Sequence, residues 1–337
     1  MAIGTWHLAH YRCTKAIETY QQLPTHQFQS AWVRTQMARA YFEISDYAAS
    51  ESLFRLVREQ EPYRMNGQEY YSTLLWHLRR DAQMAALAHQ LIEYDRNSAQ
   101  AWCALGNCYS MQRDRTSALK CFERATKLDT SLTYAYTLSG HESFAEEDWD
   151  RAQMCYRKAI RLDPRHYNAW YGLGMVYMRL DRADMAERHF RRALAIHPTN
   201  PALTCCLGMV YEQLNDKQRA LRVYARAAQA NPRSTLIRFK HAKALVALRR
   251  DQEALGELSA AYELAPREAN IHLLLGKVYR RQGQRRAALR HFTWALDLDP
   301  RHRPMIRDTI ERINDESAQE EASMLTVGAT GDDTVFV

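Results

Sequence analysis

Apolar residues fall along this chain on two helical faces in every 34 residues. In the stretch from residue 99, Trp102, Leu105, Gly106 and Tyr109 take positions 4, 7, 8 and 11, and Ala118, Phe122 and Ala125 take positions 20, 24 and 27. Separations of three and four put each set on one side of a helix, so the pattern predicts two amphipathic helices, A and B. A short polar turn such as Gln112-Arg113-Asp114 joins them. The stretch from 167 repeats the set as Trp170, Leu173, Gly174, Tyr177, Ala186, Phe190 and Ala193, then Pro198 at position 32. Prolines 164, 198, 232, 266 and 300 keep this interval, as do Gly106, Gly140, Gly174, Gly208 and Gly276, with Ala242 in the missing slot. Eight contiguous units are predicted, starting at 31, 65, 99, 133, 167, 201, 235 and 269 and ending at 302.

Glycine inside a helix costs about 1 kcal/mol relative to alanine, so its recurrence at position 8 demands close approach of helix B. Proline at position 32 cannot continue helix B and sets the turn into the next unit. This residue set at this spacing is the tetratricopeptide repeat. The expected fold is all-α: a right-handed superhelical solenoid of antiparallel helix pairs. Ala16, Tyr20 and Leu23 fit positions 20, 24 and 27 of an earlier unit, so residues 8–30 are expected to hold the second helix of a truncated preceding repeat. Residues 303–315 read as a closing helix and 316–337 as an acidic disordered tail. Two units depart from the pattern: that from 65 has Ser72, Met84 and Ala88 at positions 8, 20 and 24, and that from 235 has Arg238 and His241 at positions 4 and 7. Local repacking is the expected reason.

Composition narrows the classes. Twelve glycines and a mean hydropathy of −0.54 exclude collagen-like chains, and no apolar run reaches the roughly 18 residues of a membrane span. No basic segment followed by an apolar one opens the chain, so an intracellular address is expected. Seven cysteines without a CxxC pair are expected to be reduced structural thiols. The net charge is +7, but six acids and no Lys or Arg follow Arg312, leaving +13 on the body. Such a balance fits an acidic partner or a solvated exterior as well as nucleic acid.

No P-loop, GxGxxG, HExxH or GxSxG string occurs, and most large residues are committed to packing, so neither an active site, a metal site nor a cofactor is expected. The Arg pairs at 249–250, 280–281 and 285–286 flank A–B turns, without aromatic rings on the same face, and no nucleic-acid stripe is predicted. What remains is the concave groove, lined by helix A positions 2, 5, 9 and 12 or 13. These positions supply Glu69, Thr73 and Trp76; Cys103, Asn107 and Ser110; Tyr134, Thr137, His141 and Phe144; and Asn168, Tyr171 and Met175. Amides to bond a backbone and rings to take apolar side chains suit an extended peptide.

Several strings go beyond the generic repeat: Tyr71-Ser72-Thr73-Leu74-Leu75-Trp76-His77-Leu78, Ala101-Trp102-Cys103-Ala104-Leu105-Gly106-Asn107-Cys108, Ser139-Gly140-His141-Glu142 and Trp170-Tyr171-Gly172-Leu173-Gly174-Met175. From about residue 8 to about 312 the chain resembles the coactivator-binding tetratricopeptide subunit of the anaphase-promoting complex, the cell division cycle protein twenty-seven family. A sibling tetratricopeptide subunit of that complex is the alternative, and a chaperone or peptide adaptor another, although the Lys and Asn clamp such adaptors use is absent. The resemblance implies a non-catalytic scaffold of a ubiquitin ligase acting on cell-cycle regulators, in nucleus and cytoplasm, with the other subunits of the complex as partners. It also implies a groove for the C-terminal Ile-Arg tail of coactivators and of a processivity subunit. Homodimerisation is expected only with the family's N-terminal repeats restored, and neither nucleic acid nor membrane is an expected partner. On that reading Glu69, or else Glu142, receives the guanidinium. Trp76, Leu138 and Phe144 enclose the isoleucine, Asn107 and Asn168 bond the peptide backbone, and His141, if protonated, faces the terminal carboxylate. Thr73, Ser110, Tyr134 and Tyr171 complete the expected peptide-binding surface.

Overall fold

A computed structural model describes residues 1–299 together with Ile306, Arg307 and Ile310. The described residues form helices without strands and divide into two units, the first from Met1 to Leu214 and the second beginning at Asn215. In the first unit α1 (Ala2–Ala9), α2 (Cys13–Gln21) and a short α3 (Thr25–Phe28) precede the regular pairs. These are α4 (Ala31–Glu43) with α5 (Tyr47–Gln60), α6 (Gln68–His77) with α7 (Asp81–Tyr94), and α8 (Ala99–Met111) with α9 (Arg115–Leu128). Next come α10 (Thr133–Ala145) with α11 (Trp149–Leu162), α12 (Tyr167–Arg179) with α13 (Ala183–Ile196), and α14 (Pro201–Gln213). The second unit holds α15 (Lys217–Ala230), α16 (Thr235–Ala247) with α17 (Asp251–Leu264), and α18 (Ala269–Arg281) with α19 (Arg285–Leu298). This is an all-α tetratricopeptide solenoid.

The glycines at position 8 do what the pattern requires. A Cβ on Gly106 would lie 2.3 Å from the Phe122 ring, and Gly140, Gly174 and Gly276 meet Tyr156, Phe190 and Phe292 at 2.6 to 2.7 Å. In the unit from 65 the sizes are exchanged: Met84, fully buried, fills the space while Ala88 takes the ring's place. Arg238 also has a local reason, because position 4 supplies an N–H to the carbonyl six residues earlier. Trp102 Nε1 donates to Arg96, Trp170 Nε1 to Pro164 and Arg238 Nε to Pro232, at 2.8, 3.0 and 2.6 Å.

Each A–B turn is reversed by one left-handed residue at position 15: Ser45, Arg79, Arg113, Glu147, Asp181, Asn215, Arg249 and Gly283, with Tyr11 in the same register. The following N–H reaches back over the turn, as Asp114 to the Tyr109 carbonyl at 3.0 Å and Arg182 to Tyr177 at 2.9 Å. That closure satisfies carbonyls which helix A leaves open. Asp46, Asp114, Asp148 and Asp216 then cap helix B by accepting the N–H three residues on.

At the start, the single helix expected in 8–30 is α2, and it has a partner in α1. A Cβ on Gly4 would lie 2.7 Å from the Tyr20 ring, as one on Gly106 would crowd Phe122. Helix α1 is only 8 residues long, too short to show the full set of helix A positions. At the other end Ile306 is buried among Ala288, Phe292 and Ala295. The rest of the expected closing helix and the acidic tail lie outside the described residues.

Candidate functional site

The inner ends and faces of α4, α6, α8, α10, α12 and α14, all in the first unit, surround a cavity of about 500 Å³. Of the predicted residues, Thr73, Trp76, Asn107, Ser110, Tyr134, Leu138, His141, Glu142, Asn168 and Tyr171 line it. Glu69 and Phe144 do not. Helix α6 begins late, behind the left-handed Gly67 at φ 91°, and the Gly67 N–H draws in the Glu69 carboxylate at 3.1 Å. Phe144 packs its ring edge-on against Trp149 instead, centroids 5.3 Å apart. Cys103 is fully buried with Ala99, Ala125 and Ala135 rather than facing the groove. All seven cysteines are buried.

A polar chain stiffens one wall. The Asn107 amide donates to Ser72 Oγ and Thr73 Oγ1 at 2.9 and 3.2 Å, and Tyr134 OH donates to Thr73 Oγ1 at 2.7 Å. Both amide hydrogens of Asn107 are thereby engaged, which leaves Oδ1 as its ligand atom. Arg39 lies over the Tyr70 ring at 4.3 Å and donates to the Tyr70 hydroxyl at 2.9 Å, while the Tyr70 and Tyr134 rings are 5.0 Å apart. The surroundings of His141 favour its neutral form. Burial, with His166 and His77 nearby, holds it down to about 4, and its Nδ1 pairs with the Tyr156 hydroxyl at 2.8 Å.

Two carboxylates line the cavity. Glu142 accepts a hydrogen bond from the Ser110 hydroxyl, and burial raises its carboxyl against the lowering influence of that bond and of Arg115. The other, Glu43, lay outside the sequence reading, although positions 12 and 13 of the unit from 31 are Phe42 and Glu43 and both line the cavity. Burial raises Glu43 to about 7, opposed by the Tyr167 hydroxyl at 2.8 Å and by Arg39. Ser45, Tyr47, His77, Tyr167, Asn200 and Leu203 are further lining residues. No Lys or Arg is among the described lining residues. The indole N–H of Trp76 is buried without a partner, so the cavity offers carboxylates, amides, rings and one unused donor. That set suits a cationic and apolar peptide.

Residues 68–273 match a family model described as the cilia and flagella-associated protein 70 C-terminal domain, and residues 273–304 match a tetratricopeptide repeat. Protein bimA of Emericella nidulans is 46% identical over 151 residues, covering 45% of this chain and 19% of that protein. Cell division cycle protein 27 homolog B of Arabidopsis thaliana is 48% identical over 132 residues, covering 39% of this chain and 18% of that protein. The human cell division cycle protein 27 homolog is 45% identical over 129 residues, covering 38% and 16%. The matches thus span less than a fifth of these relatives' length. The crystal structure of the APC/C hetero-tetramer Cut9-Hcn1 shares the fold, with a TM-score of 0.72 at 20% identity over 89% of this chain and 58% of that one. A repeat model reads framework positions that such arrays share, whereas identity at this level extends between them. The chain belongs to the tetratricopeptide-repeat family of the cilia and flagella-associated protein 70 C-terminal domain model, and among such repeat proteins it is a member of the cell division cycle protein 27 family.

Proposed function

We propose that this chain is a non-catalytic scaffold of the anaphase-promoting complex whose first-unit cavity holds the C-terminal Ile-Arg tail of coactivator and processivity subunits. The observation that carries the reading is the cavity's lining of two carboxylates, Asn amides and aromatic rings, without Lys or Arg among its described residues. A guanidinium finds its partner in Glu142, and Trp76, Leu138 and Tyr171 provide apolar surface for the isoleucine. Asn107 Oδ1 and the Asn168 amide bond the peptide backbone, and Trp76 Nε1 donates to the terminal carboxylate. An adaptor for acidic chain ends is disfavoured by the same lining. The other subunits of the complex are the proposed partners, in nucleus and cytoplasm.

Calorimetry with a peptide ending in Ile-Arg tests this. Glu142→Ala is expected to weaken binding by about 2–5 kcal/mol, the usual cost of removing one partner of a buried charged pair, while Glu69→Ala leaves it near the parent value. Parent-like binding by Glu142→Ala, or equal binding of a peptide ending in Ile-Glu, would contradict the proposal.

A further inference from the structure

At the cavity lining, side chains from parts of the sequence far from one another meet. Glu43, the last residue of α4, accepts the hydroxyl of Tyr167, the first residue of α12, at 2.8 Å across 124 residues. Behind them Tyr11, in the turn between α1 and α2, stacks on His197 with centroids 4.8 Å apart and stands edge-on to Tyr167 at 5.0 Å. The Tyr11 hydroxyl reaches the Arg165 carbonyl at 3.5 Å, a separation of 154 residues. Tyr167 and His197 are buried, and the Glu43 side chain is 8% exposed. Tyr11 also occupies the left-handed region at φ 53°, costly for a bulky residue. The turn itself sets that conformation, as at position 15 of each A–B turn, with the Arg12 N–H reaching back to the His7 carbonyl at 2.9 Å.

Taking the Ile-Arg reading above as its basis, we propose that Glu43, Tyr167, Tyr11 and His197 form an end wall, so that the cavity selects a chain terminus by excluding any residue beyond it. The lining supports this division of labour. Without a Lys or Arg on the described lining, an ion pair to the terminal carboxylate is not what distinguishes a chain end from an internal Ile-Arg. Steric exclusion by buried, mutually bonded side chains makes the distinction instead, an instance of specificity built against the wrong ligand.

Three peptides separate the possibilities: one ending in Ile-Arg with a free carboxylate, the same peptide amidated, and the same peptide extended by Gly-Ser-Gly. On the full chain the amide is expected within about threefold of the free acid, and the extended peptide at least about tenfold weaker, a difference of 1.4 kcal/mol or more. Glu43→Ala opens the wall from one side. Tyr11→Gly opens it from behind while suiting the left-handed turn, so a foldable variant is available. In each, the penalty for extension should shrink to about threefold or less, and in Tyr11→Gly, which lies outside the lining, the free-acid affinity should change little. Tolerance of the extension by the parent, an amide as weak as the extended peptide, or an unchanged penalty in both variants would each overturn the wall and leave the Ile-Arg reading standing. Binding of none of the three would remove both.

Discussion

In the first unit the inward positions of helix A carry Asn107, Tyr134, His141 and Asn168, with Glu142 beside them; the corresponding positions of α16 and α18 in the second unit carry Leu236, Phe239, Lys243, Asn270, Leu273 and Lys277. The packing positions agree between the units: Gly174 against Phe190 in the first reappears as Gly276 against Phe292 in the second. Framework residues are therefore fixed by contact between helices A and B, and the inward row is free to take either charge. On the proposed function, the tail is read by that row rather than by the repeat framework.

The sharpest way to break the comparison is to attack the shared frame. Gly174→Leu drives a side chain into the Phe190 ring, 2.7 Å from where its Cβ must lie, and is expected to destabilise the first unit by about 3 kcal/mol. Gly256, inside α17, has nothing within 4 Å of its Cβ position, so Gly256→Ala should stabilise the second unit by about 0.5–1 kcal/mol. Chemical denaturation of the two variants reads both signs. Equal effects would mean that glycine at position 8 is not set by ring contact.

A smaller effect separates the inner row from the frame. Burial lowers His141, His166 and His197 to about 4 from 6.5. The unfolded chain binds those protons near 6.5 and the folded chain only near 4, so first-unit stability is lost as pH falls through that window. Glu43 works in the opposite direction. Burial raises its folded carboxyl to about 7 from 4.5, against the lowering influence of Tyr167 and Arg39 and with Tyr11 and His197 also facing it, so its contribution is complete below 4.5 and is lost as pH rises to 7. Glu43→Gln, which keeps an acceptor for Tyr167, should raise the thermal midpoint at pH 8 and give little gain at pH 4.5. A shift of the same size at both pH values would contradict the assignment.

The period, the helix pairs and the glycine contacts were legible because each depends on residues within one repeat. The left-handed turn at position 15 was not, since only Gly283 of that series is a glycine, and Arg113 or Glu147 gives no local sign of it. Much of the cavity followed from helix position: Trp76, Asn107 and Ser110 line it. Glu69 failed the same rule because Gly67 delays α6 and captures the carboxylate. Glu43 was within reach of the rule had it been applied to the unit from 31. The contact of Glu43 with Tyr167 was not, because nothing in a 34-residue pattern signals a pairing 124 residues apart.

The central claim is that the inward row of the first unit, and not that of the second, receives an arginine-ended tail. A peptide ending in Ile-Arg with a photoreactive group in place of the residue before isoleucine, irradiated on the intact chain and mapped by mass spectrometry, tests it most directly. Attachment is expected at the cavity, on residues such as Trp76, Leu138 or Tyr171, and is expected to be lost in Glu142→Ala. Attachment within residues 215–299, or attachment to the cavity undiminished by Glu142→Ala, would contradict it.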